Sequence, residues 1–188
     1  MRKFFVVDGE VEYSHPEAGG QGPAEGSAND SAIESGLVLL LSEIARHAEE
    51  INESGNRNPV EVIGILADVI NRAAEFVAAA GIEKGGNSVL SEAVSKSSAA
   101  VSEAGLLHVD NGCLSAQTVI NLYKGWSGPK NEKSLVFGRI ATSMVGILEF
   151  LLGSIASAFS SKKVADEWSD AFAICSGELS YAVKNVKF

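Results

Sequence analysis

The sequence predicts an all-α fold, a bundle of about six to eight helices around one central apolar helix, with a β-hairpin at the N-terminus. Three observations predict it. From Ile33 onward apolar residues recur at three- and four-residue steps through most of the chain. Capping and stop signals bracket these runs. Finally, Ser134 to Leu152 is apolar almost all round, broken by Arg139, Thr142, Ser143 and Glu149, as a helix buried on every side requires.

At 188 residues, with 46% apolar and 21% charged residues, the chain has the usage of a single globular domain, which excludes wholesale disorder and collagen-like repeats. Acidic residues outnumber basic ones 24 to 15, for a net charge of −9. Such a field repels phosphate backbones unless the basic residues are segregated; along the sequence they are spread out, so nucleic acid is not an expected partner. Two cysteines, Cys113 and Cys175, fit free thiols in a reducing compartment. The apolar start Phe4-Phe5-Val6-Val7 is cut off by Asp8-Gly9-Glu10, too early for a signal-peptide core, so a cytoplasmic location is expected.

The elements follow in order. Asp8-Gly9 between two β-prone runs predicts a hairpin over 1–15. The Gly, Ala, Ser, Glu and Pro of Pro16 to Gly36 predict a flexible linker, assigned to 16–30, ahead of a helical domain over 31–188. Ser31 and Glu34 have capping-box spacing, and Ile33, Leu37, Leu40, Leu41, Ile44, Ala48 and Ile51 predict a first helix ending near Asn52. Asn58-Pro59-Val60-Glu61 opens a second that runs to about Ala80 and stops at Gly81. Its Val62, Ile63, Ile65, Leu66, Val69 and Ile70 cover more than one face, so it is buried on two sides or offers one face to a partner. Further helices are expected over Ser88–Ala104, Ser115–Lys124, Ser134–Leu152 and Val164–Val183, with a loop from Gly125 to Lys133.

Catalytic signatures are missing. His15, His47 and His108 lack partners at metal-ligand spacing, and the glycines at 19–26 and 85–86 lack the lysine of a phosphate-binding loop. Glu49-Glu50 and Asp166-Glu167 fall on helices, where consecutive carboxylates diverge. No enzyme activity, cofactor or metal is expected.

Two stretches carry more information. In the second helix, Ile63, Leu66 and Ile70 form one apolar stripe, Ala67 permits close approach, Asp68 places a charge beside the stripe, and Asn71 follows. At the start of the most apolar helix, Leu135-Val136-Phe137-Gly138-Arg139-Ile140 joins an aromatic ring, a glycine that clears room and an arginine that is costly to bury without acceptors.

These stretches resemble the Bcl-2 family of apoptosis regulators. The family's third homology motif has the form apolar-x-x-apolar-small-Asp-x-apolar-Asn, which Ile63, Leu66, Ala67, Asp68, Ile70 and Asn71 match. Its first motif contains Asn-Trp-Gly-Arg, matched by Phe137-Gly138-Arg139 with Val136 in place of the asparagine and Phe137 in place of the tryptophan. Val119-Ile120-Asn121-Leu122-Tyr123 resembles the helix before that motif, and Tyr181, Asn185 and Phe188 echo the second motif with both tryptophans replaced. The resemblance spans Ser31 to the C-terminus.

It implies a pro-survival regulator whose second to fifth helices build an apolar groove that sequesters the amphipathic death-motif helices of pro-apoptotic family members. Arg139 would pair with the ligand's aspartate, Gly138 would let its backbone approach, and Phe137, Val136 and Tyr123 would complete the contact. A homodimer and association with the mitochondrial outer membrane also follow from the resemblance. The family's apolar tail anchor has no counterpart in Lys184-Asn185-Val186-Lys187-Phe188, so the chain is expected to be untethered or cut short of one.

Two rivals stand beside this reading. Leu135 to Phe159 is apolar enough to suggest a pore-forming or self-assembling bundle, although Arg139 and Glu149 would each cost roughly 2.5–3.5 kcal/mol at a bilayer centre. Trp126-Ser127-Gly128 looks like the W-x-G turn of small secreted helical-hairpin proteins. The net charge, finally, suggests a groove that attracts basic amphipathic helices.

Overall fold

The computed structural model describes residues 3–7, 10–14, 28–53, 58–82, 88–100 and 105–188. Its elements in chain order are β1 (Lys3–Val7), β2 (Glu10–Ser14), α1 (Ala28–Glu53), α2 (Pro59–Ala79), α3 (Val89–Ala100), β3 (His108–Asp110), β4 (Cys113–Ser115), α4 (Gln117–Lys124), α5 (Lys130–Ala156) and α6 (Lys162–Lys184). Helices dominate, as the periodicity predicts.

The four long helices close into a ring: α1 packs on α2 and α6, and α5 packs on the same two. Their inward stripes meet in one core that includes Leu37, Leu41, Ile44, Ile63, Leu66, Ile70, Ile140, Met144, Ile147 and Trp168, all with almost no exposed surface. Trp168 stacks on Phe159 at 6.1 Å with the rings nearly parallel. α3 lies along α5, and the β3–β4 hairpin and α4 sit against α2. Among the described residues α5 is the helix long and apolar enough to cross a membrane, and 56% of its most apolar window is buried within the bundle.

β1 and β2 pair antiparallel with Val7 opposite Glu10, and β2 lies against α1. The Asp8-Gly9 turn and residues 15–27 of the expected hairpin and linker lie outside the described residues. α1 begins at Ala28, three residues ahead of Ser31, so residues 28–30 of the expected linker are helical. Gly36 belongs to the helix too, because α1 meets α2 there: a Cβ on Gly36 would come 2.5 Å from the Phe76 ring.

α2 follows its signals closely. The Asn58 side chain accepts a hydrogen bond from the Val60 amide at 3.1 Å and Pro59 fills the first turn. Gly81 takes a φ of +65°, and the Ile82 amide turns back to the Val77 carbonyl at 3.1 Å, closing the helix. Of the expected third helix, residues 101–104 lie outside the described residues.

The strands β3 and β4 are absent from the sequence reading. Asn111 and Gly112 both take positive φ, 50° and 82°, the two-residue turn whose twist matches paired strands. Val109 stands opposite Leu114 and Asp110 opposite Cys113. α5 is also longer than expected at both ends. Pro129 cannot continue a helix backwards, and its carbonyl accepts from the Lys133 amide, so Lys130 to Lys133 form the first turn instead of a loop. Buried Ile155 holds the last turn through Gly153 and Ser154.

Candidate functional site

The N-terminal half of α5 runs beside the C-terminal end of α6, and a groove of about 640 Å³ opens between them. Asn131, Leu135, Gly138, Arg139 and Thr142 form one wall, Val183 and Lys184 the other, and Val186 and Phe188 close it. On a helix the first set falls on one face, since 131, 135, 138 and 142 are three or four apart. Leu135 is 55% exposed, an unusual position for a large apolar side chain.

Gly138 is half-buried at the middle of this wall. A Cβ there would meet only the Phe188 ring, at 4.0 Å, so the groove floor is open above it. Thr142 donates its hydroxyl to the Gly138 carbonyl at 2.9 Å, which satisfies it within the helix and keeps the floor apolar. Arg139 is exposed at the edge, with Lys184 across from it on α6. A second, smaller groove of about 310 Å³ continues the same helix pair, between Glu149, Leu152 and Gly153 of α5 and Phe172, Ala173 and Ser176 of α6.

Gly138 and Arg139 are therefore brought together at a groove, whereas the other three expected contact residues are not. Phe137 has no exposed surface and lies edge-on to Tyr123 at 4.8 Å and to Trp126 at 5.8 Å. Its neighbour in sequence, Val136, is half-buried against the core, and Tyr123 is covered by the Lys133 ammonium 3.6 Å from its ring. These side chains lock α4 and the 125–129 loop onto α5, a packing role that a groove-lining role would contradict. The helical phase is the cause, since position 137 points about 100° away from 138. Trp126 donates its indole N–H to the Pro129 carbonyl at 3.2 Å, so the Trp-Ser-Gly tripeptide belongs to this local cluster.

The motif on α2 is placed differently again. Ile63, Leu66, Ala67 and Ile70 are buried in the core, as are Val62, Val69 and Ala73 on the adjoining face. Asp68 is exposed, and Asn71 is half-buried, bonded to the backbone of Leu114. This helix is thus buried along one broad face, against α5 and α1, and none of its residues lines the groove at Arg139. The walls come from α5, α6 and the residues after α6, so of the expected second to fifth helices only α5 contributes. Lys184 and Val186 enter the site without a signal in the sequence, whereas Phe188 belongs to the 181–188 echo of an aromatic motif.

The charge distribution also differs from its reading along the chain. Lys124 ends α4, Lys130, Lys133 and Arg139 stand on the first turns of α5, and Lys184 and Lys187 lie at the end of α6. The fold brings these three chain segments to one end of the bundle, through the Tyr123–Phe137–Trp126 cluster and the groove. Six of the fifteen basic residues gather there with Glu132 the acid among them over 124–142 and 181–188. These segments at the groove thus carry more basic than acidic residues despite the net −9.

Among the described residues no group of histidines, cysteines and carboxylates is arranged to hold a metal ion. Of the two thiols, Cys113 is exposed and Cys175 buried, and burial, helped by the Glu178 charge, pushes the Cys175 thiol up to about 12. Comparison with protein-family models, with curated proteins and with solved structures finds no match.

Proposed function

We propose that the chain is a binding protein that receives an amphipathic helix of a partner in the groove between α5 and the end of α6. One observation carries this reading: Gly138 and Arg139, the pair the sequence singles out, stand together at the mouth of an apolar groove of about 640 Å³. Apolar residues of the ligand at i, i+3, i+4 and i+7 would lie on Leu135, Val183, Val186 and Phe188, and an acidic residue would reach Arg139. In its finer form the proposal is a pro-survival regulator of the Bcl-2 kind that sequesters death-motif helices, working in the cytoplasm and at the mitochondrial outer membrane. The motif order and the position of Gly138-Arg139 near the start of a long apolar helix support that form.

Calorimetric titration with a panel of acidic amphipathic and death-motif peptides tests it. A charge pair at an exposed groove edge contributes roughly 0.2–1 kcal/mol, so Arg139→Ala is expected to weaken binding by up to about fivefold with an unchanged helical spectrum. A folded protein that binds none of the peptides, or an Arg139→Ala variant that binds equally well, refutes the proposal. The second reading is a pore-forming or self-assembling bundle, favoured by the length and apolarity of α5.

A further inference from the structure

The basic end of the bundle reaches beyond the groove, and its exposed lysines have no role in holding a helix there. Lys124, Lys130 and Lys187 are exposed and line no part of the groove. Among them stand Leu135, more than half exposed, and the half-buried Trp126 and Phe188. We propose that this end is a docking face for an anionic lipid bilayer, with Lys124, Lys130, Lys184 and Lys187 against the headgroups and Leu135 and Trp126 at the level of the interface.

Charge complementarity selects the occupant. A chain of net −9 is repelled by an anionic surface in most orientations. Only charges within a Debye length of the bilayer, about 8 Å at physiological salt, feel its potential. Over 124–142 and 181–188 six basic residues stand against Glu132 alone among the acids, so the orientation that sets these segments against the bilayer is the attractive one. Each lysine or arginine near such a surface strengthens partitioning by roughly a factor of five.

Nucleic acid shares the anionic chemistry and fits less well. Five of the six basic residues are lysines, and exposed Leu135 gains nothing from a phosphate backbone, whereas an interface rewards apolar and indole side chains beside lysines.

Co-sedimentation of the full chain with vesicles tests the face. Binding is expected to phosphatidylcholine vesicles containing phosphatidylserine, to be lost at high salt, and to be missing with phosphatidylcholine alone. The triple variant Lys124→Gln, Lys130→Gln, Lys187→Gln should bind the anionic vesicles about a hundredfold more weakly, three factors of roughly five. Because these lysines line no part of the groove, its affinity for a groove peptide should stay within about threefold, so failure here is distinguishable from failure of the helix-binding proposal. Equal binding to neutral vesicles, a triple variant that binds as the parent does, or binding to a DNA duplex with vesicles ignored overturns the inference.

Discussion

Asn71→Ala separates a structural role from a recognition role at the last residue of the α2 motif. In a hairpin with a two-residue turn, the flanking pair Asp110 and Cys113 exchanges the ladder bonds, and the next pair, Val109 and Leu114, points its N–H and C=O groups outward. Asn71 meets both of Leu114's groups: its Oδ1 accepts from the Leu114 amide at 2.6 Å and its Nδ2 donates to the Leu114 carbonyl at 3.2 Å. The carboxamide thus stands in for one peptide unit of a third strand. Leu114 is 3% exposed, so water replaces these bonds poorly. Two bonds at about 1 kcal/mol each, plus the penalty for stranded backbone groups, put the loss at about 2–4 kcal/mol. At 2–4 °C per kcal/mol for a chain of this size, the melting temperature should fall by roughly 5–15 °C. Urea unfolding gives the free energy and hydrogen exchange at the Leu114 amide gives the site. Asn71→Asp keeps the acceptor and loses the donor, and should fall between the parent and the alanine variant. A loss under about 0.5 kcal/mol, or unchanged exchange at Leu114, would refute the tie.

Two further predictions concern the core and the α1–α2 contact. Cys175 keeps its proton in the fold to about 12 against an ordinary 9.0, so its stabilising contribution is intact below pH 9 and is lost as pH rises from 9 toward 12, by roughly 1.4 kcal/mol per unit. Alkaline unfolding of Cys175→Ala should lack that slope, whereas an identical slope in the variant would place its origin elsewhere. Gly36→Ala should destabilise by about 1–2 kcal/mol, because the new methyl would sit 2.5 Å from the Phe76 ring. In a Phe76→Ala background the same change should instead stabilise by up to about 1 kcal/mol through helix propensity, and an effect of one sign in both backgrounds contradicts the contact.

The division between what the sequence made legible and what it did not follows the reach of the interactions. Asn58, Pro59 and Gly81 act on their own neighbours, and α2 starts and stops where they put it. The i, i+3, i+4 stripes likewise predicted which faces of α1 and α6 are buried. Asn111-Gly112 is equally local, yet strands of three residues leave too few positions for an alternating pattern to show. The site is another matter. Gly138 meets Phe188 only because α5 and α6 pack side by side, and no local rule relates residues so far apart. Helical phase alone already separates Phe137 from Gly138, so a contiguous motif was bound to divide between core and groove. The same holds for charge: Lys124, Lys130, Lys184 and Lys187 are scattered in sequence and neighbours at one end of the bundle. Net charge sums over the whole chain, whereas the charge at the groove depends on which helix ends the fold brings together, and that placement is not written in any local pattern.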